Sequence, residues 1–254
     1  MSGDERASQG GVTSPAEGPA PPGVPAILAE GALELLGLLP RSSNYAFLAK
    51  ATLGEEEALT VYKPRRGEVP LWDFPEGTLG NREVAAYRLA HQLGWPAVPP
   101  TVWREGPEGP GSVQLFVPFE PADHAFTLLE RFPREFRRIA LFDVVAHNAD
   151  RKAGHCLLAR DGHIFVVDHG TCFSDEPKLR TVLWDFVGDP IPAEELDDLR
   201  RLQRAFAAGD LTADLGELLS PGEIRAAVRR LDDLLEEGSF PQPGPGRPYP
   251  WPIV

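Results

Sequence analysis

Residues 141–170 read LFDVVAHNADRKAGHCLLARDGHIFVVDHG, and the rest of the chain makes most sense as a frame around this stretch. Its front half is an apolar helical run that ends in Asn148, Asp150 and Arg151. Its back half alternates apolar and polar residues, turns at Asp161-Gly162, alternates again and stops at Asp168-His169-Gly170. Two alternating runs joined by a tight Asp-Gly turn predict a β-hairpin. That hairpin carries Asp150 in at one end and Asp168 out at the other, close together in space. Paired carboxylates at a hairpin mouth suit a metal-dependent site, one orienting a reacting hydroxyl and the other holding a divalent ion. His155 lies between them in sequence, and it either completes the metal shell or is a satisfied strand histidine.

Upstream of the hairpin, Pro133 fits the start of a long apolar helix through about Ala146. Pro118 and Pro121 mark a boundary, and the chain before them is rich in strands. Tyr45–Leu53 and Ala58–Tyr62 read as a strand pair around an acidic turn, preceded by a strand near Leu35–Leu39. Asn81 is a plausible N-cap for a helix with Val84, Tyr87, Ala90 and Leu93 on its apolar face, stopped by Gly94 and Pro96. Val98–Trp103 and Ser112–Phe119 read as two more strands. Downstream come two amphipathic helices, one from about Pro192 to Ala207. The other opens at Ser220-Pro221-Gly222-Glu223, a capping box with Pro at the first helical position.

The pattern is α+β and divides the chain into four parts. Residues 1–25 form a Gly-, Pro- and Ser-rich tail expected to be disordered. Residues 26–120 form a β-rich lobe, residues 121–238 a helical lobe that includes the hairpin, and residues 239–254 a Pro/Gly-rich tail. The apolar run Tyr249–Val254 has no assigned place in this scheme. The cleft between the two lobes is the expected home of a ligand.

Over 254 residues, 38 acidic side chains against 25 basic ones give a formal net charge of −13, which disfavours a nucleic-acid partner. No apolar run reaches membrane-span length, and the acidic N-terminus does not read as a signal peptide, so no integral membrane association and a cytoplasmic location are expected. The two cysteines, Cys156 and Cys172, sit in apolar surroundings and predict buried reduced thiols. Composition rich in Ala, Gly, Pro and Arg matches bacterial coding of high GC content.

Lysine is scarce, with only Lys50, Lys63, Lys152 and Lys178. Lys63 ends an alternating strand before Pro64, and is either an exposed strand-end lysine or an inward cation needing Glu83 or a phosphate as partner. Glu83 alone is also explained by the helix dipole. The Ser42-Ser43-Asn44 turn offers hydroxyls and backbone N–H groups to a phosphate, or is a polar hairpin turn.

Taken in order, these segments resemble the phosphatidylinositol 3- and 4-kinase-like branch of the protein-kinase fold. The resemblance rests on Val61-Tyr62-Lys63-Pro64, Leu79 through Ala85, Val98-Pro99-Pro100-Thr101, Asp143 through Arg151 and Val167-Asp168-His169-Gly170. It spans roughly residues 33–190, and is closest to type II phosphatidylinositol 4-kinases and to an uncharacterised bacterial family like them. It implies a two-lobed protein-kinase-like fold, with ATP and Mg2+ or Mn2+ as cofactors and a nucleotide as partner. By resemblance, Lys63 contacts ATP phosphates and pairs with Glu83, while Ser42, Ser43 and Asn44 cover the phosphates. Asp150, followed by Arg151, is the catalytic-loop aspartate, and Asp168 holds the metal. Backbone groups near Phe116 and Val117 hold adenine.

His155 stands where the family pattern puts a metal-binding asparagine. Imidazole suits manganese or zinc better than magnesium, so His155 either retunes the metal or impairs catalysis. Type II lipid kinases carry a palmitoylated cysteine cluster, which this sequence lacks, and the net charge of −13 repels anionic lipid. The expected activity is therefore ATP-dependent phosphotransfer to an unknown protein or small-molecule acceptor, not a membrane phosphoinositide. A nucleotide-binding pseudokinase and a nucleotidyl transferase are the alternatives on the same fold.

Overall fold

The computed structural model describes residues 23–40, 42, 44–95 and 98–254. Most of the N-terminal tail, Ser43 of the phosphate turn and Pro96 of the helix stop lie outside the described residues. The architecture is α+β and two-lobed. A short helix α1 (Ala26–Glu30) leads into β1 (Ala32–Leu38), β2 (Phe47–Leu53) and β3 (Glu56–Pro64). Helix α2 (Leu79–Leu93) follows, then β4 (Thr101–Gly106) and β5 (Gly109–Leu115). The strands form one five-stranded sheet in the order β1-β2-β3-β5-β4, antiparallel throughout.

Directly paired residues share a face of a sheet, so the register sorts the side chains. One face carries Ala49, Tyr62, Val102 and Val113, packed against Ile27 and Leu28 of α1. The opposite face carries Leu48, Leu59, Val61, Lys63, Ser112 and Gln114. Helix α2 covers that second face over β4 and β5. Gly80 permits the close approach, since a Cβ there would meet Trp103 Cζ3 at 2.6 Å. Over β3 the face stays partly open, with Leu59 exposed and Val61 and Lys63 half-buried.

The expected N-cap of α2 is corrected. Thr78 is the N-cap residue, and Asn81 lies inside the helix, fully buried, with its side-chain amide unbonded. The capping comes from a distant carboxylate instead. Glu68 accepts the amide N–H of Leu79 at 3.2 Å and of Gly80 at 2.9 Å. A carboxylate at this positive helix end needs no neighbouring cap residue. Gly94 ends the helix in the left-handed conformation at φ 72°, as its position after Leu93 predicts.

The C-terminal lobe comprises α3 (Ala125–Leu128), α4 (Pro133–Ala146), the hairpin β6 (Cys156–Leu158) and β7 (Ile164–Val166), and α5 (Ala193–Ala208), α6 (Asp210–Gly216) and α7 (Pro221–Glu237). The hairpin turn is wider than a two-residue Asp-Gly loop. Gly162, at φ 85°, donates its N–H to the Ala159 carbonyl at 3.0 Å, and Ala159 donates to His163 at 2.9 Å. Helix α6 has no separate signal in the sequence, because it restarts at Gly209, the residue that ends α5. The capping box of α7 forms as its sequence predicts, with Ser220 N–H donating to Glu223 Oε2 at 2.8 Å. Both cysteines are free and buried.

Helix α2 belongs to both lobes. Twelve of its 15 residues are buried, since its second side packs into the main core with α4, α5 and α7. Arg82 pairs with Glu223 of α7 and donates to the Cys172 carbonyl at 2.6 Å. Arg88 reaches Asp214 at 2.6 Å, and Trp95 Nε1 donates to Asp198 at 2.7 Å. The Tyr249–Val254 segment docks on the C-terminal lobe, where the Ile253 carbonyl accepts the Ala153 N–H at 2.8 Å. Just before it, the Pro248 carbonyl accepts Thr181 N–H at 3.0 Å and Trp184 Nε1–H at 3.1 Å. Among the described residues no helix is long and apolar enough to cross a membrane.

Candidate active site

Strand β3 brings Lys63 to the lobe junction on the open face of the sheet. Its ammonium pairs with Glu83 of α2 and lies 3.2 Å from Asp168 Oδ1. Glu83 is 3 % exposed and uses its other oxygen to accept the His169 N–H at 3.0 Å. One carboxylate thus ties β3, α2 and the Asp168-His169-Gly170 segment together. Burial works against the Lys63 ammonium, but the carboxylates of Glu83 and Asp168 outweigh it and hold its pKa above the ordinary value. Lys63 in turn holds the Asp168 carboxyl well below the usual range. Asp168 adopts φ 64°, a left-handed conformation that a non-glycine residue keeps only when its surroundings fix it.

The segment between α4 and the hairpin is built on buried polar contacts. Asp143, fully buried, accepts from Arg151 Nε at 3.0 Å and Nη2 at 3.0 Å, from Asn148 at 3.3 Å and from Thr181 at 3.3 Å. Arg151 also donates to the Val167 carbonyl at 2.9 Å and meets His169 Nε2 at 2.8 Å. Arg151, expected with Asp150 and Lys63 among the catalytic residues, is placed as a buried anchor of this segment. It is 0 % exposed and its donors are directed inward. Asn148 Oδ1 accepts the Asp150 N–H at 2.9 Å, which fixes the loop and leaves the Asp150 carboxylate part-exposed. Burial raises the pKa of Asp150, while the Lys152 ammonium, 2.9 Å away, opposes the rise. That Lys152 partnership is a feature the sequence reading missed, although the scarcity of lysine was a signal for it.

His155 ends a short 3-10 turn at the head of β6, with Nε2 3.5 Å from Asp168 Oδ2. Its Nδ1 accepts the Lys152 N–H at 3.4 Å, which assigns the ring proton to Nε2 and aims it at Asp168. Burial pushes its pKa down to about 4, so the ring is neutral at neutral pH. Metal ligation through Nε2 requires the proton to shift to Nδ1 and the Lys152 contact to break. Among the described residues no three His, Cys, Asp or Glu side chains form a protein-only metal cage. Asp168 with neutral His155 fits a cation that takes its remaining ligands from phosphate oxygens and water, the usual habit of magnesium beside a nucleotide.

The other expected nucleotide contacts are placed less uniformly. Asn44 Oδ1 accepts the Val69 N–H at 2.7 Å, so that side chain staples one loop to another rather than facing a phosphate. Ser42 is exposed, and Ser43 is outside the described residues. The Phe116 N–H is taken by the Leu59 carbonyl at 2.9 Å, which extends the β3–β5 ladder and removes it as an adenine donor. Val117 follows, buried, at the start of the inter-lobe connection.

Residues 79–230 match the family model described as phosphatidylinositol 3- and 4-kinase. Protein Rv2133c of Mycobacterium tuberculosis is 40% identical over 263 residues, covering 89% of this chain and 94% of that protein. Phosphatidylinositol 4-kinase gamma 4 of Oryza sativa subsp. japonica is 34% identical over 133 residues, 43% of this chain and 22% of that enzyme. Among solved structures, hydra Fam20 with sugar superposes with a TM-score of 0.53 at 13% identity, over 84% of this chain and 87% of that one. The Helicobacter pylori proinflammatory kinase CtkA gives 0.51 at 13% identity, over 83% and 94%. Both likenesses concern the fold.

Proposed function

The chain belongs to the phosphatidylinositol 3- and 4-kinase family, and from that premise we propose that it is an ATP- and divalent-metal-dependent phosphotransferase acting on a hydroxyl acceptor. The observation that carries the proposal is the ion-paired chain Glu83–Lys63–Asp168 at the lobe junction, with Asp150 on the adjoining loop. Kinase chemistry needs little covalent help from the protein, and rests on positioning and charge. Lys63 is a fixed cation for nucleotide phosphates, and Glu83 keeps it extended. Asp168, with His155 behind it, holds the metal, which when bound neutralises charge on the phosphates. Asp150 orients the acceptor hydroxyl and takes its proton, and a raised pKa makes it a stronger base for that step. The Phe116 carbonyl and the Val117 amide hold adenine. The acceptor is a protein or small-molecule hydroxyl.

The test is ATP turnover by the full chain with magnesium and with manganese. Asp150→Asn is expected to lower kcat by roughly 100- to 10,000-fold with little change in nucleotide binding, and Lys63→Met to weaken the ATP-dependent thermal shift. His155→Asn, which restores the family's oxygen ligand, is expected to move the metal preference toward magnesium. The absence of any nucleotide-dependent thermal shift with either metal would sink the reading. Binding without turnover would indicate a pseudokinase, and a nucleotidyl-sized mass gain on the acceptor would indicate nucleotidyl transfer.

A further inference from the structure

A groove of about 360 Å³ lies on the C-terminal lobe between residues 177–180, helix α7 and the tail at 241–248. Neither Lys63 nor Asp168 lines it. It gathers Lys178, Arg180, Arg230 and Arg247 on a chain whose formal net charge is −13. Lys178 is engaged, with its ammonium 3.5 Å from Asp73 and 3.8 Å from Glu176. The Arg180 guanidinium has no hydrogen bond or close ion pair among the described residues, though its charge is felt by the Asp150 carboxylate, and Arg247 rests over the Trp251 ring at 5.6 Å. Asp233 and Glu237 also line the groove, both exposed.

One more donor of the lining is buried without a partner, Nη2 of Arg230. Arg230 spends Nε on the Val145 carbonyl at 3.1 Å and Nη1 on the Ser174 carbonyl at 3.2 Å, which fixes its head in place. His147 Nε2 lies 2.8 Å from the Lys178 amide nitrogen and 3.1 Å from the Glu176 carbonyl oxygen, so the ring braces the 176–178 segment that walls the groove. A buried donor left unpaired costs about 1–3 kcal/mol, and more when charged. Burial lowers the Arg230 pKa to about 10, as expected of a guanidinium short of a counter-ion. One unsatisfied donor and two further guanidinium groups, carried on three separate segments of chain, call for an acceptor with several oxygens.

We propose that this groove is a second ligand site, adjoining the Asp150 loop but not lined by Lys63 or Asp168, for a small phosphorylated molecule or headgroup. Its phosphate oxygens accept from Arg230, Arg180 and Arg247. A tetrahedral group with three oxygens suits donors converging from different elements, and arginine forks match it. The volume is at the low end of small-molecule sites, large enough for a phosphate with a small polar body. Occupancy joins the tail, through Arg247, to the segment whose Arg180 N–H donates to the Asn148 carbonyl at 2.9 Å. The site stands whether or not the cleft transfers phosphate.

The experiment is calorimetric titration of the full chain with inorganic phosphate, glucose 6-phosphate and uncharged glucose. It is paired with flotation on phosphatidylcholine vesicles with and without phosphatidylinositol 4-phosphate. Saturable binding is expected for at least one phosphorylated probe and not for glucose. Arg180→Gln and Arg247→Gln, which leave the carbonyls held by Arg230 untouched, are each expected to weaken it roughly tenfold or more. Arg230→Lys, which keeps the charge but removes Nη2, should weaken it too, and Lys63→Met should leave it unchanged. Binding to vesicles alone identifies a lipid headgroup as the ligand's source, and binding of soluble probes alone a free metabolite. The proposal is overturned if no phosphorylated probe or vesicle binds, or if binding survives both glutamine substitutions.

Discussion

At the residue scale, the site separates side chains legible by type from those legible only by partner. Lys63, Asp150 and Asp168 stand out in sequence because scarce or acidic residues at strand and hairpin ends have few structural uses. Arg151 stands beside Asp150 with equal prominence, yet its role depends on Asp143, eight positions away and across a helix end. Buried histidines give a prediction at this scale. Burial pushes both His147 and His155 down to about 4, against about 6.5 in the unfolded chain. Between those values the unfolded state binds protons that the folded state refuses, so stability falls as pH drops through that window. Each ring contributes up to about 3 kcal/mol to the fall. Urea midpoints should decline between about pH 7 and pH 5, and His147→Asn, an αL-tolerant replacement at φ 53°, should make the decline shallower. Midpoints that stay flat across that range would refute the assignment.

At the element scale, the helices show how local and tertiary signals divide. The α7 start was legible because its cap lies within four residues of sequence. The α2 start was not, because Glu68 supplies the acceptor from a loop and Asn81, a good cap by type, is carried inside. Glu223 works at both levels. One oxygen closes the α7 capping box and the other neutralises Arg82, which is 1 % exposed. Glu223→Ala should therefore cost about 3–5 kcal/mol, since it strands a buried guanidinium. Glu223→Gln keeps the cap oxygen and should cost less. A Glu223→Gln variant as stable as the parent in chemical denaturation would show that the ion pair contributes nothing beyond the cap.

At the scale of the whole molecule, α2 and the C-terminal tail set how the lobes and the site segments sit. The tail supplies carbonyls to Thr181, Trp184 and Ala153, groups that flank the Asp150 loop. Truncation after Gly244 removes the Pro248 and Ile253 acceptors while sparing Phe240, which is buried in the core. Hydrogen exchange at the Thr181 and Ala153 amides should accelerate, with the five-stranded sheet unchanged. Unaltered protection at those two amides would mean that the tail does not brace the loop.

The sequence by itself determined the strand-then-helix order, the α4 helix, the hairpin and the identity of the acidic and lysine side chains at the lobe junction. Periodicity, caps and turn residues act over a few positions, and each of those features is local. Only the tertiary structure decided that Glu83 links Lys63 to His169, that Arg151 is buried on Asp143, and that His155 faces Asp168. It alone seated the 241–254 tail against the segments that flank the Asp150 loop. Those outcomes rest on pairings across 8 to 100 residues of chain. The free energy of such pairs comes from burial and from partners that no local pattern encodes.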